Sequence, residues 1–283
     1  MHKKISMIAD ISSEDLLDEC IKHIRKKEHR EKINSIKETL LTAIEDYRRN
    51  ASTGDLSAIT PITLADEIKE ILKNLYINQM GRSSNKNLPR QVYEKILEGL
   101  GFLCPYCEDG HVYTIDHFLP KSIFAEFSVT IENLVPACRD CNSAKKKYIS
   151  KTKDSQLLHP YFDEEIHERW LKAELLYNDS ISFNYIVIDT DRIDPILLQR
   201  INFQFDLLDL NRKYSENAIS KFYEWLNCSR QNIRNRENLF DLCQELNRQN
   251  RENTWEKCLW EALIDNIDQL CTYLKRERII ESL

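Results

Sequence analysis

The 283-residue sequence is short of chain breakers, with only 5 glycines and 7 prolines. So few breakers argue against a loop-rich chain and favour helices over most of the length. Long apolar runs are also missing: no stretch approaches the ~20 consecutive apolar residues of a membrane-spanning helix, so no membrane association is expected. The first residues, "MHKKISMIADISSEDLLDEC", are basic at the start, but acids interrupt within ten positions and no secretory apolar segment follows. A cytoplasmic protein is therefore expected. There is no excess of positive charge; the formal net charge is −6. That excludes a globally basic nucleic-acid coat but not a local basic site, because phosphate binding is decided by the potential at the groove. The cysteines total 9, an odd number without an export signal, which makes a poor disulfide framework.

What is present is mostly helical periodicity. Residues 12–50 carry Leu16, Leu17, Ile21, Ile24, Ile33, Ile36, Leu40 and Ile44 at helical spacing, which predicts one long helix or two stacked ones, with Ser13 as cap. Residues 63–80 predict a second helix capped by Thr63, and 90–101 a short helix closed by glycine. Periodicity then stops. "HVYTIDHF" (111–118) and "NLVPAC" (133–138) read as extended pieces and "NSAKKKYISK" (142–151) as a helix start. Helix is expected again over 164–178, then a strand over 181–189, then helix to the C-terminus. The expected class is α+β, mostly helical. A helical N-terminal region (1–88), a cysteine-bearing module (89–160) and a mostly helical C-terminal region (161–283) are its parts.

Four cysteines stand apart from the rest. Cys104 and Cys107, then Cys138 and Cys141, form two C-x-x-C pairs separated by thirty residues. Two such knuckles can close a tetrahedron of thiolates around Zn²⁺; with no position left for water, such a site is structural. It would clamp a segment too short and polar to hold itself by burial. Cys20, Cys228, Cys243, Cys258 and Cys271 lie on helical stretches and read as reduced core residues. Trp170, Trp225, Trp255 and Trp260 likewise sit on helical patterns and read as core.

Between and just after the knuckles lie Asp116, His117, Asn133 and Asn142. Phosphodiester hydrolysis needs a base for the attacking water and a hard cation to neutralise the phosphate and the leaving oxygen. A histidine of near-neutral pKa suits the first task, and oxygen ligands suit the second. Neighbours on a strand point to opposite faces, so Asp116 could reach a metal while His117 addresses water.

The stretches "YTIDHFLPKS" (113–122) and "ENLVPACRDCNSAKKK" (132–147) resemble the HNH endonuclease family with its ββα-metal (His-Me finger) fold. The likeness covers roughly residues 100–160, and the knuckles match the subset of the family in which four cysteines bracket the strands. The resemblance implies His117 as general base, Asp116 and Asn142 as ligands of a catalytic divalent ion, and Asn133 as organiser of the intervening loop. The third motif residue is Asn rather than His. An amide oxygen suits Mg²⁺ better than a soft transition metal, so Mg²⁺ or Mn²⁺ is expected beside structural Zn²⁺. His159 in "LLHPYF" is either a further ligand or phosphate contact, or a locally packed residue.

From Arg139 to Lys153 there are six basic residues against one acid, Asp140. Lys145 and Lys146, within a turn of Asn142, and Lys121 in "LPKS" are candidate nucleic-acid contacts that grip phosphate without reading sequence. The expected substrate is DNA, bound weakly or delivered by a partner. A looser resemblance, carried by the same stretches and "LLHPYF", is to HNH nucleases of bacterial anti-phage systems or restriction, some of which work beside an ATPase. The competing readings are a non-catalytic zinc module that binds nucleic acid or a partner protein, and a nuclease acting on structured RNA.

Overall fold

The computed structural model describes residues 4–82, 86–98, 102–177 and 180–280. The chain divides into two compact units, Met1–Glu165 and Ile166–Leu283.

In the first unit, α1 (Ser13–Lys22), α2 (Lys27–Ser35) and α3 (Lys37–Ser52) replace the one or two helices expected over 12–50. The first break follows Lys22, where cations crowd; they favour a helix C-terminus and repel along a continuing helix. The cap of α1 is Ser12, whose hydroxyl accepts from the Asp15 N–H at 3.1 Å. Ser13, expected as that cap, turns its hydroxyl inward and accepts from the Ile131 N–H at 2.8 Å. Thr63 caps nothing: α4 spans Asp66–Leu75 and follows Ala65 without a side-chain cap. It runs on into a π-helical turn, Tyr76–Gly81. Helix α5 is Leu88–Glu98, and the glycine expected to close it, Gly101, lies outside the described residues.

Next come β1 (Thr114–His117) and β2 (Leu134–Ala137), antiparallel, with Asp116 opposite Val135 and His117 opposite Leu134. Helix α6 (Arg139–Lys145) follows at once, capped by the Cys138 side chain. This is the expected extended–loop–extended–helix order, drawn into a ββα unit.

The sequence reading set residues 1–88 apart from 89–160. In the structure they share one core: Leu16, Leu40, Leu72 and Ile96 from the helices cluster with Ile115, Val129, Ile131 and Leu134. A two-stranded ribbon with a short helix cannot bury enough apolar surface alone, so the N-terminal helices supply the rest. A polar tie reinforces it. The Glu132 carboxylate accepts from Ser13 and from Arg48 Nε, and Arg48 also pairs with Glu14.

The second unit contains the largest departure from expectation. Residues expected as helix over 164–178 form β3 (Leu171–Tyr177), paired in register with β4 (Ile181–Val187). "LKAELLY" is rich in helix formers, but Leu171 and Ala173 are buried with Lys172 exposed between them. Cross-strand pairing overrides intrinsic propensity here. Helices α7 (Pro195–Leu207), α8 (Leu210–Ser229), α9 (Arg236–Gln249), α10 (Trp255–Asp265) and α11 (Ile267–Arg276) complete the unit. Asn253, at φ 61°, accepts from the Trp170 N–H at 2.9 Å and donates to the Glu168 carbonyl at 2.8 Å. Trp170, Trp255 and Trp260 are buried, Trp225 half-buried. Of the five scattered cysteines, Cys20, Cys243 and Cys258 are buried, whereas Cys271 is half-buried and Cys228 exposed, against the core reading. No helix among the described residues is long and apolar enough to cross a membrane.

The shared core makes a prediction. Leu40→Ala in α3 should cost about 2–5 kcal/mol. Hydrogen exchange should show β1 and β2 amides losing protection together with α3; unchanged protection of the strands would show that the module folds on its own.

Candidate functional site

The two knuckles bring their sulfurs together. The Sγ atoms of Cys104, Cys107, Cys138 and Cys141 all lie within 4.8 Å of one another, and all four side chains are buried. Cys107 and Cys138 Sγ are 3.9 Å apart, close to the ~3.8 Å edge of a tetrahedron with ~2.3 Å metal–sulfur bonds. Backbone N–H groups point at the sulfurs: Gly110 donates to Cys107 Sγ and Cys141 to Cys138 Sγ, each at 3.4 Å. Such donors stabilise thiolate charge. The donor set fits a closed, sulfur-ligated metal ion.

Strand β1 presents Asp116 and His117 on opposite faces. The Asp116 side faces α6. Its Oδ2 accepts from Tyr106 Oη at 3.0 Å and pairs with Lys145 Nζ at 2.9 Å. Asp116 is 3% exposed. Burial pushes its carboxyl up, against the pull of the Lys145 ammonium in the other direction. Its other oxygen, Oδ1, has no hydrogen bond from the described residues.

The His117 side faces the loop between the strands. Its Nε2 lies 2.9 Å from the Ser128 carbonyl oxygen. A carbonyl only accepts, so the proton sits on Nε2 and Nδ1 keeps its lone pair. The Tyr76 ring meets the imidazole edge-on, with centroids 4.4 Å apart. His117 is 5% exposed. Burial holds it well below the usual imidazole range, and the Lys121 ammonium adds to this; the Ser128 hydrogen bond opposes it. Lys121 is half-buried, with Nζ 3.5 Å from His117 Nδ1 and 4.9 Å above the Tyr76 ring. Burial lowers its pKa as well.

Asn142 sits on the same seam as Asp116. Thr114 Oγ1 donates to the Ala137 carbonyl at 3.1 Å, so it must accept from Asn142 Nδ2, also at 3.1 Å. That fixes the amide orientation and leaves Asn142 Oδ1 without a hydrogen bond among the described residues. Thr114 and Asp116 are two apart on β1, and Asn142 and Lys145 three apart on α6, so both pairs face the strand–helix interface.

Asn133 touches none of these atoms. Fully buried, it accepts from the Leu119 N–H at 2.7 Å and donates to the Leu119 and Phe127 carbonyls at 3.0 and 3.2 Å. It pins both ends of the loop that carries Ser128.

Three expectations about neighbouring side chains meet different outcomes. Lys146 is exposed at the end of α6, open to phosphate. Lys145 is not: it is 2% exposed, and its ammonium is bound to Asp116 Oδ2 and, at 2.9 Å, to the His117 carbonyl. A buried, bonded ammonium cannot be the surface phosphate contact that the basic run suggested. His159 is 1% exposed and stacked on Phe118 at 4.1 Å. Its Nδ1 accepts from the Tyr161 N–H and its Nε2 faces Tyr47 Oη at 3.0 Å, which is the local-packing alternative.

Sequence reasoning missed Tyr106, Thr114, Ser128 and Tyr76. Tyr106 lies inside the first knuckle and Thr114 two residues before Asp116, so strand alternation could have found Thr114. Tyr76 comes from the N-terminal region, and no local pattern links it to His117.

With that geometry in place, comparison with known proteins defines the class. Residues 104–147, from the first cysteine of the quartet to Lys147, match the family model described as HNH endonuclease. The chain is also similar to Protein ea31 of Escherichia phage lambda, 34% identical over 187 residues. That match covers 62% of this chain and 62% of the relative. No solved structure matches.

Two measurements check this geometry. Elemental analysis should find one tightly held metal ion per chain, and Cys141→Ser should lose it along with the tertiary signal of Tyr106. Asn133→Ala should leave three loop groups unpaired, at roughly 1–3 kcal/mol each. It should raise exchange at Leu119 while the sulfur-held metal stays bound.

Proposed function

We propose that this chain is a metal-dependent endonuclease that hydrolyses DNA phosphodiester bonds, with Zn²⁺ as sulfur-held scaffold and Mg²⁺ or Mn²⁺ as the hydrolytic ion. The observation that supports this reading is a division of labour within each motif residue. Asp116 and Asn142 each commit one polar atom to the protein and leave one oxygen, Oδ1 in both, without a hydrogen bond among the described residues, while His117 Nδ1 meets only the displaceable Lys121 ammonium at 3.5 Å. A purely structural carboxylate as buried as Asp116 would be expected to use both of its oxygens.

Asp116 and Asn142 would hold the hydrolytic ion through those oxygens, a hard donor set that suits Mg²⁺ or Mn²⁺. When bound, it supplies neutralisation of the scissile phosphate and of the departing oxygen. The protein's own groups do the rest. Ser128 and Tyr76 fix the imidazole, and burial keeps it unprotonated. His117 Nδ1 takes the proton of a water whose oxygen bonds to phosphorus, and the P–O3′ bond breaks. The products are a 5′-phosphate and a 3′-oxygen that is reprotonated from solvent. Lys121, beside Nδ1, is placed to meet the incoming phosphate, with Lys146 as a second contact on the open side of α6. The placement of this activity in anti-phage defence or restriction, with an ATPase as delivery partner, rests on the sequence resemblance.

The test is nicking of supercoiled plasmid by the zinc-loaded chain. Cleavage should require added Mg²⁺ or Mn²⁺, and His117→Ala should lower the rate about 10²–10⁴-fold with zinc content unchanged. A His117→Ala protein that is folded and cleaves like the parent would reduce the module to a binding role. Cleavage of an RNA duplex in preference to DNA would move the substrate to RNA.

A further inference from the structure

The hydrolytic site holds a surplus of positive charge before any ion arrives. Lys145 Nζ sits 2.9 Å from Asp116 Oδ2, and Lys121 Nζ lies 3.5 Å from His117 Nδ1. Two ammonium groups, one bonded to Asp116 and one beside His117, therefore accompany a single carboxylate at the site. Asn142, Tyr106, Thr114 and Tyr76, which complete the surroundings, are uncharged amide and hydroxyl groups. Sites that hold a divalent ion unaided gather several anionic ligands, and affinity follows their charge count. Mg²⁺ in particular is commonly held by one or two carboxylates together with substrate phosphates.

We infer that Lys145 makes the hydrolytic ion conditional on the substrate: by neutralising Asp116 it keeps the free protein from holding a divalent ion until a phosphodiester brings the missing negative charge. The inference rests on the nuclease reading of the site. Lys145 acts here as a positioning residue, through Asp116 and not on the reacting atoms. Its ammonium bonds Asp116 Oδ2 and the His117 carbonyl oxygen, both at 2.9 Å. One group thus fixes the carboxylate and the backbone of the base together, and it occupies Asp116 Oδ2 rather than Oδ1. A free protein without its ion cannot cut, so loading of the ion becomes part of recognising the backbone.

The measurement is Mn²⁺ binding to the zinc-loaded full chain, followed by the paramagnetic resonance signal of free Mn²⁺. It is made with and without a non-hydrolysable phosphorothioate duplex, after subtracting what the duplex binds alone. The parent should bind one further Mn²⁺ at least about tenfold more tightly when the duplex is present. Lys145→Met should bind Mn²⁺ without duplex at least about tenfold more tightly than the parent, the scale of removing one close charge, and should cleave with lower kcat. Because Lys145 is buried and bonded on two sides, Lys121→Met serves as the second variant. It removes the half-buried ammonium and should move Mn²⁺ affinity in the same direction by less. A parent that cleaves but binds Mn²⁺ equally well with and without duplex overturns the inference and leaves the nuclease standing. Unchanged Mn²⁺ affinity in folded variants does the same. No duplex-dependent Mn²⁺ and no cleavage would overturn both.

Discussion

A carboxylate taken out of water must be compensated, and the Asp116–Lys145 pair is the compensation around which this module is arranged. Removing one partner of such a buried pair typically costs about 3–5 kcal/mol, because the other is left uncompensated. The pair reaches in three directions. Through Tyr106, which lies between the first two cysteines, Asp116 is tied to the sulfur cluster. Through the second hydrogen bond of Lys145 it is tied to the backbone of His117. Through α6, on which Lys145 and Asn142 share a face, it is tied to the second oxygen donor. The cysteine cluster and the Asp116–His117–Asn142 group are thus distinct in chemistry but mechanically joined by two side chains, so on the proposed reading a scaffold metal would matter to catalysis without touching substrate.

The loop between the strands obeys a different constraint. It must deliver one carbonyl, that of Ser128, to one nitrogen of His117. It does so with little regular structure, so its shape is set by side-chain hydrogen bonds. Asn133 closes its two ends, and the Ser128 hydroxyl donates to the Ala125 carbonyl at 2.7 Å. The outer rim is held from the N-terminal helices, by Ser13 at Ile131 and by Arg48 at Glu132. The N-terminal helices therefore help to shape the loop whose Ser128 carbonyl meets His117.

How much of this was legible depended on whether the signal was local. The cysteine quartet could be read because metal geometry forces paired spacing. Asp116, His117 and Asn142 could be singled out together because the strand–helix unit keeps them within a short stretch. The order of elements in the module followed from the point where helical periodicity stops. What failed were questions decided by distant partners. Residues 171–177 look helical until the complementary strand at 181–187 is considered. Lys145 looks like one more cation in a basic run until its burial against Asp116 is known; spacing along α6 puts it near the site but cannot give its direction. Ser13 and Thr63 were both plausible caps by residue type, yet the chain entered the helices one residue earlier and two residues later, respectively, than each implied.

Tyr76 shows what such a distant partner contributes. In water an imidazole titrates near 6.5 and is partly protonated at neutral pH. Here the ring is closed on one side by the Ser128 carbonyl and met at its edge by Tyr76 from the π-helical turn. Burial lowers the basicity of the neutral ring, against the opposing Ser128 hydrogen bond, and Tyr76 supplies part of that burial, so the low basicity is in part a property of the N-terminal helices. The same covering restricts approach. The Nε2 side is blocked by the loop, and the Tyr76 contact closes another direction, while Nδ1 opens toward the half-buried Lys121. A phosphate entering past Lys121 would meet an ammonium first and draw it away from Nδ1, freeing the lone pair for water. On the proposed reading, the lysine that adds to burial in holding down protonation of His117 is also the one a substrate would displace, which would couple base strength to substrate entry.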